Sequence, residues 1–497
     1  MKYAIHIKGN KRTLVHIPEF EIQSGKITFL LGESGIGKTL ISRAVFGLLA
    51  GEELNVQING DPYARYLVSS HCRDMRDKGF FVFQEPSSHL NPMRRLSAQL
   101  DEGSIADSTW DKEIISRLFP GFNEAERQRF LQVFPKPYRP SGGEKQRFLI
   151  AMAFKKILKL TQNIANPDAL FIFDEPTGNL DNQYRNLFLQ MLIEAQQQYR
   201  FTAIVITHDY SMIGEISARY PDMLAQINFS EIRLLEKTLQ QIHFSPRLYL
   251  DWLSGVQPPG KDATVSSSPV LELSPQIRVF DRQLTVTSDA AGTTPSPLEI
   301  YPGDAVYLKA ASGAGKTTTA KIIMGLLKAH SFSLRIGDLV LDEKATEATW
   351  RRHIWAKKIS MVFQHADEAL NLNGKVKDIF RGLPIKRRKD RSFLVKQLKI
   401  VFDTHINEAF LDKPVRLLSG GQKQRLNLLR SLILDTALLI LDEPFNGLDF
   451  NTMQKVLTLL QDRQRQGKSF LLISHNEEII GRLVRSDRIY YLHWQRA

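Results

Sequence analysis

Three glycines precede a lysine and a threonine in Gly32-Glu33-Ser34-Gly35-Ile36-Gly37-Lys38-Thr39. Glycines let backbone N–H groups turn inward around phosphate oxygens, and a helix starting at the lysine adds its dipole. Lys38 would reach the outer phosphates of a nucleotide, and the Thr39 hydroxyl would bind Mg2+. The same order returns in Ala310-Ala311-Ser312-Gly313-Ala314-Gly315-Lys316-Thr317-Thr318. There Ala310 replaces Gly32. Alanine is small but tolerates positive φ poorly, and phosphate binding is expected to survive the change.

Two apolar runs end in paired acids, Leu170-Phe171-Ile172-Phe173-Asp174-Glu175 and Leu438-Leu439-Ile440-Leu441-Asp442-Glu443. A buried strand should not end in adjacent carboxylates without compensation. Asp174 and Asp442 suit the Mg2+ shell, and Glu175 and Glu443 suit orientation or deprotonation of an attacking water. The competing reading, acids that cap a following helix, leaves the upstream phosphate loops without a partner. His208 and His475 each follow a later apolar run. A lone histidine there would be structural, but its place after the double acid marks it for the same site.

These features occur twice in the same order. Lys38 and Lys316 stand 278 positions apart, Gln84 and Gln364 stand 280 apart, and Glu175 and Glu443 stand 268 apart. A repeat of this period means two copies of one domain. The drop in offset puts about ten extra residues in the first copy near Lys155 to Asp168. Ser254-Gly255-Val256-Gln257-Pro258-Pro259-Gly260, with Ser266-Ser267-Ser268-Pro269 after it, reads as a flexible linker. The expected organisation is a first domain over 1–235, an extension and linker over 236–275, and a second domain over 276–497. Within each half, runs apolar on both faces alternate with helical patterns. That predicts α/β domains with mixed, mostly parallel sheets.

A chain of 497 residues is long enough for two or three cores. No run of about 18 apolar residues is present to span a membrane. The N-terminus, Met1-Lys2-Tyr3-Ala4-Ile5-His6, has no apolar core of signal-peptide length. Cys72 is the only cysteine, which excludes an intramolecular disulfide and argues against a cysteine-held cluster. The formal net charge of +13 is compatible with phosphate ligands, an anionic membrane surface or nucleic acid. It is also compatible with a merely solvated surface.

Ser141-Gly142-Gly143-Glu144-Lys145-Gln146-Arg147 and Leu418-Ser419-Gly420-Gly421-Gln422-Lys423-Gln424-Arg425 resemble the signature motif of the ABC ATPases. The resemblance covers nearly the whole chain outside the linker. It implies two P-loop domains, each with a helical subdomain that carries the signature, and ATP with Mg2+ as ligands. It also gives Gln84 and Gln364 the glutamine-loop role at the metal or water. Asn179-Leu180-Asp181 and Gly447-Leu448-Asp449 resemble D-loops, and His208 and His475 resemble the histidine that contacts the γ-phosphate. In that family each ATP is sandwiched between one phosphate loop and the other cassette's signature. Lys38, Thr39, Gln84, Asp174, Glu175 and His208 would then work with Ser419, Gly420 and Gly421. The other site would join Lys316, Thr317, Gln364, Asp442, Glu443 and His475 to Ser141, Gly142 and Gly143. Neither half lacks a catalytic element, so both sites read as competent. The family stacks an aromatic on adenine, but Ile7-Lys8-Gly9-Asn10 holds none.

Gln84-Glu85-Pro86-Ser87-Ser88-His89-Leu90-Asn91-Pro92 resembles the segment after the glutamine loop in importer ATPases for oligopeptides, dipeptides and nickel. Phe244-Ser245-Pro246-Arg247-Leu248-Tyr249-Leu250-Asp251-Trp252-Leu253 is similar to the extension after their first cassette, and equally to a plain packing helix. The resemblance implies a peripheral ATPase on the cytoplasmic side of the inner membrane, energising import of peptides, nickel or metal–chelator complexes. Its partners would be two non-identical transmembrane permease subunits, docking beside the glutamine loops, where both halves hold Leu-Asn six residues on (Leu90-Asn91 and Leu370-Asn371) and the two leucines would be apolar contacts. An extracytoplasmic substrate-binding protein is an optional further partner. Nucleic acid is not expected. The alternative is a soluble ABC protein acting on the ribosome or on DNA, but such relatives carry a long charged helical linker where this chain is Pro/Ser-rich.

Overall fold

The computed structural model describes all residues except 11, 50–53, 103–107, 136–139, 162–168, 179, 237, 259–267, 312, 386–389, 403–405 and 497. The chain forms two compact units, Met1–Tyr249 and Leu250–Ala497.

In the first unit a six-stranded sheet runs Thr238–His243, Ile227–Leu235, Ile27–Leu31, Thr202–Ile206, Leu170–Asp174, Phe80–Val82. All neighbours are parallel except the first pair. The strands Ile27–Leu31, Leu170–Asp174 and Thr202–Ile206 are buried at every position, in keeping with their near-continuous apolar sequences. An antiparallel sheet of Thr13–Glu21, Lys2–Lys8, Asn55–Ile58 and Asp61–Pro62 shares one core with it, through Ile5, Ile17, Leu30 and Ile41 among others.

The second unit repeats the plan with seven strands. The order is Gln276–Val279, Arg282–Thr287, Ile489–Arg496, Ala305–Lys309, Ser469–Ile473, Leu438–Asp442, Ile359–Val362. The last five are parallel and the first two join antiparallel. A second apolar cluster, including Leu370, Leu394, Leu411 and Leu426, forms the core of a helical part that carries the second signature helix.

The segment 236–275, read above as extension and linker, is partly built into the units. Thr238–His243 pairs with Ile227–Leu235 in the first, and Leu271–Leu273 lies between two strands of the second. Strand pairing satisfies backbone groups that a free linker would leave to water. Much of the expected insertion near 155–168 falls outside the described residues. What is described shows the first signature helix, Gly142–Thr161, running 20 residues against 13 for Gly420–Leu432. Among the described residues no helix is long and apolar enough to cross a membrane.

Candidate functional site

Both phosphate loops leave a buried strand and enter a helix, Lys38–Val45 in one unit and Lys316–Ile323 in the other. Their glycines match closely. Gly35 and Gly313 have φ of 79° and 75°, and Gly37 and Gly315 have 115° and 106°. These last two sit at the helix N-caps without a side-chain cap, so the first-turn N–H groups stay open to an anion. Gly32 has φ 131°, and a Cβ there would lie 2.7 Å from the Ile232 carbonyl oxygen. Ala310 is not among the residues with positive φ. The second loop therefore departs from the strand by another backbone path, which removes the difficulty expected of alanine. The outcome for the lysines is nonetheless alike. Lys38 Nζ donates to the Gly32 and Glu33 carbonyls at 2.6 and 2.9 Å, and Lys316 Nζ to Ala310 and Ala311 at 2.7 and 3.3 Å. Thr317 and Thr318 open the second helix after Lys316, as Thr39 follows Lys38. Ser312 lies outside the described residues.

Each threonine meets the aspartate assigned to the same ion. Thr39 Oγ1 donates to Asp174 at 3.0 Å, and Thr317 Oγ1 donates to Asp442 at 2.8 Å. Burial, reinforced in the first unit by Glu175, pushes both aspartates up to about 6. Asp174 Oδ2 and Asp442 Oδ1 are buried without a hydrogen-bond partner. A buried, unpartnered carboxylate oxygen beside a hydroxyl fits Mg2+, which takes one or two protein oxygens and completes its shell from phosphates and water.

Glu175 and Glu443 both adopt positive φ, 46° and 50°. A non-glycine residue held there is strained, and such strain concentrates at functional sites. The strand ends fix it, because Glu175 N donates to Ile206 O and Glu443 N to Ile473 O. Beyond the backbone the two glutamates differ. Glu175 is met by His208 Nδ1 at 3.2 Å and by Gln84 Nε2 at 2.8 Å. Burial alone would raise its carboxyl, but His208 and Lys38 outweigh this and hold it near 2. His208 is in turn raised, since Glu175 overcomes the imidazole's desolvation. Glu443 is almost fully buried and accepts from Ser474 Oγ at 2.9 Å, while His475 Nε2 stays 3.7 Å away. Burial pushes Glu443 up to about 8. Gln364 is exposed and makes no counterpart of the Gln84 bond. One glutamate is thus held low by its imidazole partner and the other is raised by burial.

A family model described as ABC transporter matches residues 15–178 and 294–446, which together take in both loops and both acid pairs. The chain belongs to the ABC transporter family. It is an ATPase with two ABC cassettes. YejF of Escherichia coli (strain K12), an uncharacterised ABC transporter ATP-binding protein, is 27% identical over 94% of this chain and 88% of its own. The peptidoglycan transport ATP-binding protein YejF of Agrobacterium fabrum is 26% identical over 99% and 90%. The glutathione import ATP-binding protein GsiA of Salmonella typhi is 24% identical over 99% and 84%. Among solved structures, an RNase-L Inhibitor matches with a TM-score of 0.59 at 16% identity, covering 98% of this chain and 89% of its own. That likeness concerns the tandem fold alone.

The ABC signatures start helices in both cassettes. Ser141 Oγ accepts from Glu144 N while Glu144 accepts from Ser141 N, and Ser419 forms the same reciprocal pair with Gln422. Such capping boxes fix the first turn and leave the N–H groups of the glycine pairs, Gly142-Gly143 and Gly420-Gly421, at the open helix end. Ser141, Gly142 and Gly420 are exposed or half-exposed, whereas Gly421 is buried. The D-loop aspartates, Asp181 and Asp449, cap the helices that follow through Tyr184 N and Thr452 N, and Asn179 lies outside the described residues.

The segments after the ABC glutamine loops require a correction. Leu90 and Leu370, the shared residues six positions after each glutamine, are 3% and 5% exposed. They are core residues, so neither is available as an apolar contact for a partner. The exposed apolar residue is Met93, at 82%. Its N–H donates to Asn91 Oδ1, and Asn373 N donates to Asn371 Oδ1 in the same turn of the second cassette. Two further residues escaped the sequence. Ser474 holds Glu443, although serine before a histidine carries no letter-level signal. Arg282 donates to Gly313 O in the second phosphate loop and stacks on Trp494, 4.3 Å from the ring centroid. Trp494 lies far from the loop in sequence and reaches Arg282 only because their strands pair.

Proposed function

We propose that this chain energises a membrane permease by binding and hydrolysing ATP, with import of peptides or of compounds such as glutathione as the transport it serves. The names of the YejF and GsiA relatives, matched over most of their length, support that reading. The observation that carries the chemistry is the pair of Thr–Asp–Glu clusters at the ends of parallel strands, each beside a lysine-bearing loop. Lys38 and Lys316 bind the outer phosphates. Thr39 with Asp174, and Thr317 with Asp442, hold Mg2+. When bound, Mg2+ neutralises charge on the β- and γ-phosphates. Glu175 and Glu443 orient the attacking water and accept its proton. Gln84, Gln364, His208 and His475 position the water and the γ-phosphate. Ser419, Gly420 and Gly421 complete the Lys38 site, and Ser141, Gly142 and Gly143 complete the Lys316 site. Arg282 with Trp494 offers the second adenine a planar surface.

Met93 against Asn373 makes the surfaces beside the two glutamine loops chemically unlike, which suits two non-identical permease subunits on the cytoplasmic face of the inner membrane. An extracytoplasmic binding protein would deliver the cargo. The test is a pull-down from detergent-solubilised membranes. Met93→Glu should weaken permease capture by about tenfold, since burying a large apolar side chain is worth roughly 1.5–3 kcal/mol, with ATP binding unchanged. Retrieval of ribosomes or DNA by the parent, without any membrane protein, would overturn the transport reading.

A further inference from the structure

The second unit contains a cavity of about 720 Å³ that no step above uses. It opens where the strands Leu438–Asp442 and Ser469–Ile473 begin, whereas Asp442 and Glu443 stand where the first of these ends. A five-residue strand separates the two ends by roughly 16 Å. Among the described residues, Lys357, Arg463 and Lys468 line the cavity with a single acid, Asp435, and Phe393 and Ile385 supply apolar wall.

Lys468 donates to the Leu434 carbonyl at 2.7 Å. Burial and the neighbouring Arg463 push its ammonium down to about 8, with Asp435 pulling the other way. A merely solvated lysine would not be so perturbed. Among the described lining residues the cations outnumber the acid by two.

The first unit shows that the fold does not require these cations. Lys468 directly precedes the strand Ser469–Ile473, and Phe201 directly precedes Thr202–Ile206. The positions correspond, since Ser469 Oγ accepts from Gly303 N and Thr202 Oγ1 from Gly25 N. Phe201 is 3% exposed and packs edge-on against Phe171. Arg463 stands fourteen residues after the helix cap Asp449, where Ala195 stands fourteen after Asp181. The first repeat keeps a smaller cavity of about 340 Å³ beside Ala195, where the charged lining is Glu113, Arg117 and Glu194, whereas the second lines its larger cavity with Lys357, Arg463 and Lys468.

We propose that this cavity binds an organic phosphate, its phosphate group between Lys468 and Arg463 and its apolar part against Phe393. Among the described lining residues, three cations against one acid leave two positive charges, which matches a phosphomonoester of about −1.5 to −2 at neutral pH. The volume lies within the roughly 300–1,000 Å³ usual for small-molecule sites. Guanidinium and ammonium donors together suit phosphate oxygens.

The test uses the full chain with both phosphate loops filled by Mg2+ and a non-hydrolysable ATP analogue, so that added phosphate cannot enter them. Inorganic phosphate is titrated calorimetrically into the parent, Lys468→Phe and Lys468→Gln. The parent should bind phosphate, with affinity falling as the pH is raised above about 8 and Lys468 loses its proton. Both variants should bind at least about tenfold more weakly, while their ATPase rates confirm that they are folded. A second arm uses phosphatidylcholine vesicles with and without phosphatidic acid. Sedimentation of the parent but not of Lys468→Phe with the acidic vesicles would make the phosphate a lipid headgroup. A difference confined to free phosphate would make the ligand soluble. Absence of phosphate binding by the parent, or equal binding by all three proteins, would overturn the proposal.

Discussion

Gly32→Ala tests whether the two phosphate loops are interchangeable. The second loop carries alanine at this position, so comparing the two halves letter by letter rates the change as neutral. The geometry contradicts that. Gly32 has φ 131° and Ala310 does not have a positive φ. A Cβ on Gly32 would sit 2.7 Å from Ile232 O, and Ile232 belongs to a strand paired with Ile27–Leu31, so the carbonyl cannot withdraw without disturbing the sheet. Backbone strain of this kind costs about 1–3 kcal/mol for a non-glycine residue. If the loop holds its place, the cost appears as lost stability. If the loop shifts to relieve the contact, Lys38 loses the Gly32 carbonyl and the cost appears as weaker ATP binding, roughly 5- to 150-fold. The assay is a fluorescent-nucleotide titration in a Lys316→Ala background, paired with urea denaturation of the same protein. The two losses together should reach at least about 1 kcal/mol. Unchanged affinity and unchanged unfolding would refute the argument, and would mean that the first loop can adopt the path of the second.

Glu175→Gln combined with Glu443→Gln should abolish phosphate release while filter binding still detects ATP, and near-parental turnover would remove both glutamates from the mechanism. Glu443 also predicts a pH effect on stability in nucleotide-free protein. Its folded value of about 8 lies above the ordinary 4.5, so between these pH values the unfolded chain binds fewer protons than the folded one. Stability from this group is therefore lost as pH rises from 4.5 to 8. Glu443→Gln should gain on the parent across that window, by no more than roughly 5 kcal/mol at its upper end, and parallel pH profiles for the two proteins would refute the assignment.

The backbone part of the site was legible in the sequence because its demands are local. Glycine spacing, the lysine, the threonine and the acids at a strand end each follow from what a phosphate or a metal requires of a few consecutive residues. The pairing of Thr39 with Asp174, 135 positions apart, followed from that chemistry alone. What was not legible depends on side chains arriving from elsewhere. Leu90 and Leu370 looked like contacts because both halves share them, yet each is shared because it fills a core. Thr238–His243 and Leu271–Leu273 read as extension and linker because each is too short to announce itself, and only waiting strands, one for the first and two for the second, recruit them.

The same limit applies to the equivalence of the two ATP sites. Both hold every catalytic residue type, and on letters alone both read as equally competent. The glutamates even share their strained backbone. Their proton state, however, is set by which neighbour reaches the carboxyl. In the first cassette His208 and Gln84 arrive, and Glu175 is an ionised base. In the second, burial pushes Glu443 up, the His475 ring stays 3.7 Å away, and Ser474 Oγ and the His475 backbone N–H pull the other way. Without nucleotide, the two glutamates are therefore shifted in opposite directions by their surroundings. Two sites alike in sequence can thus differ through the position of one imidazole.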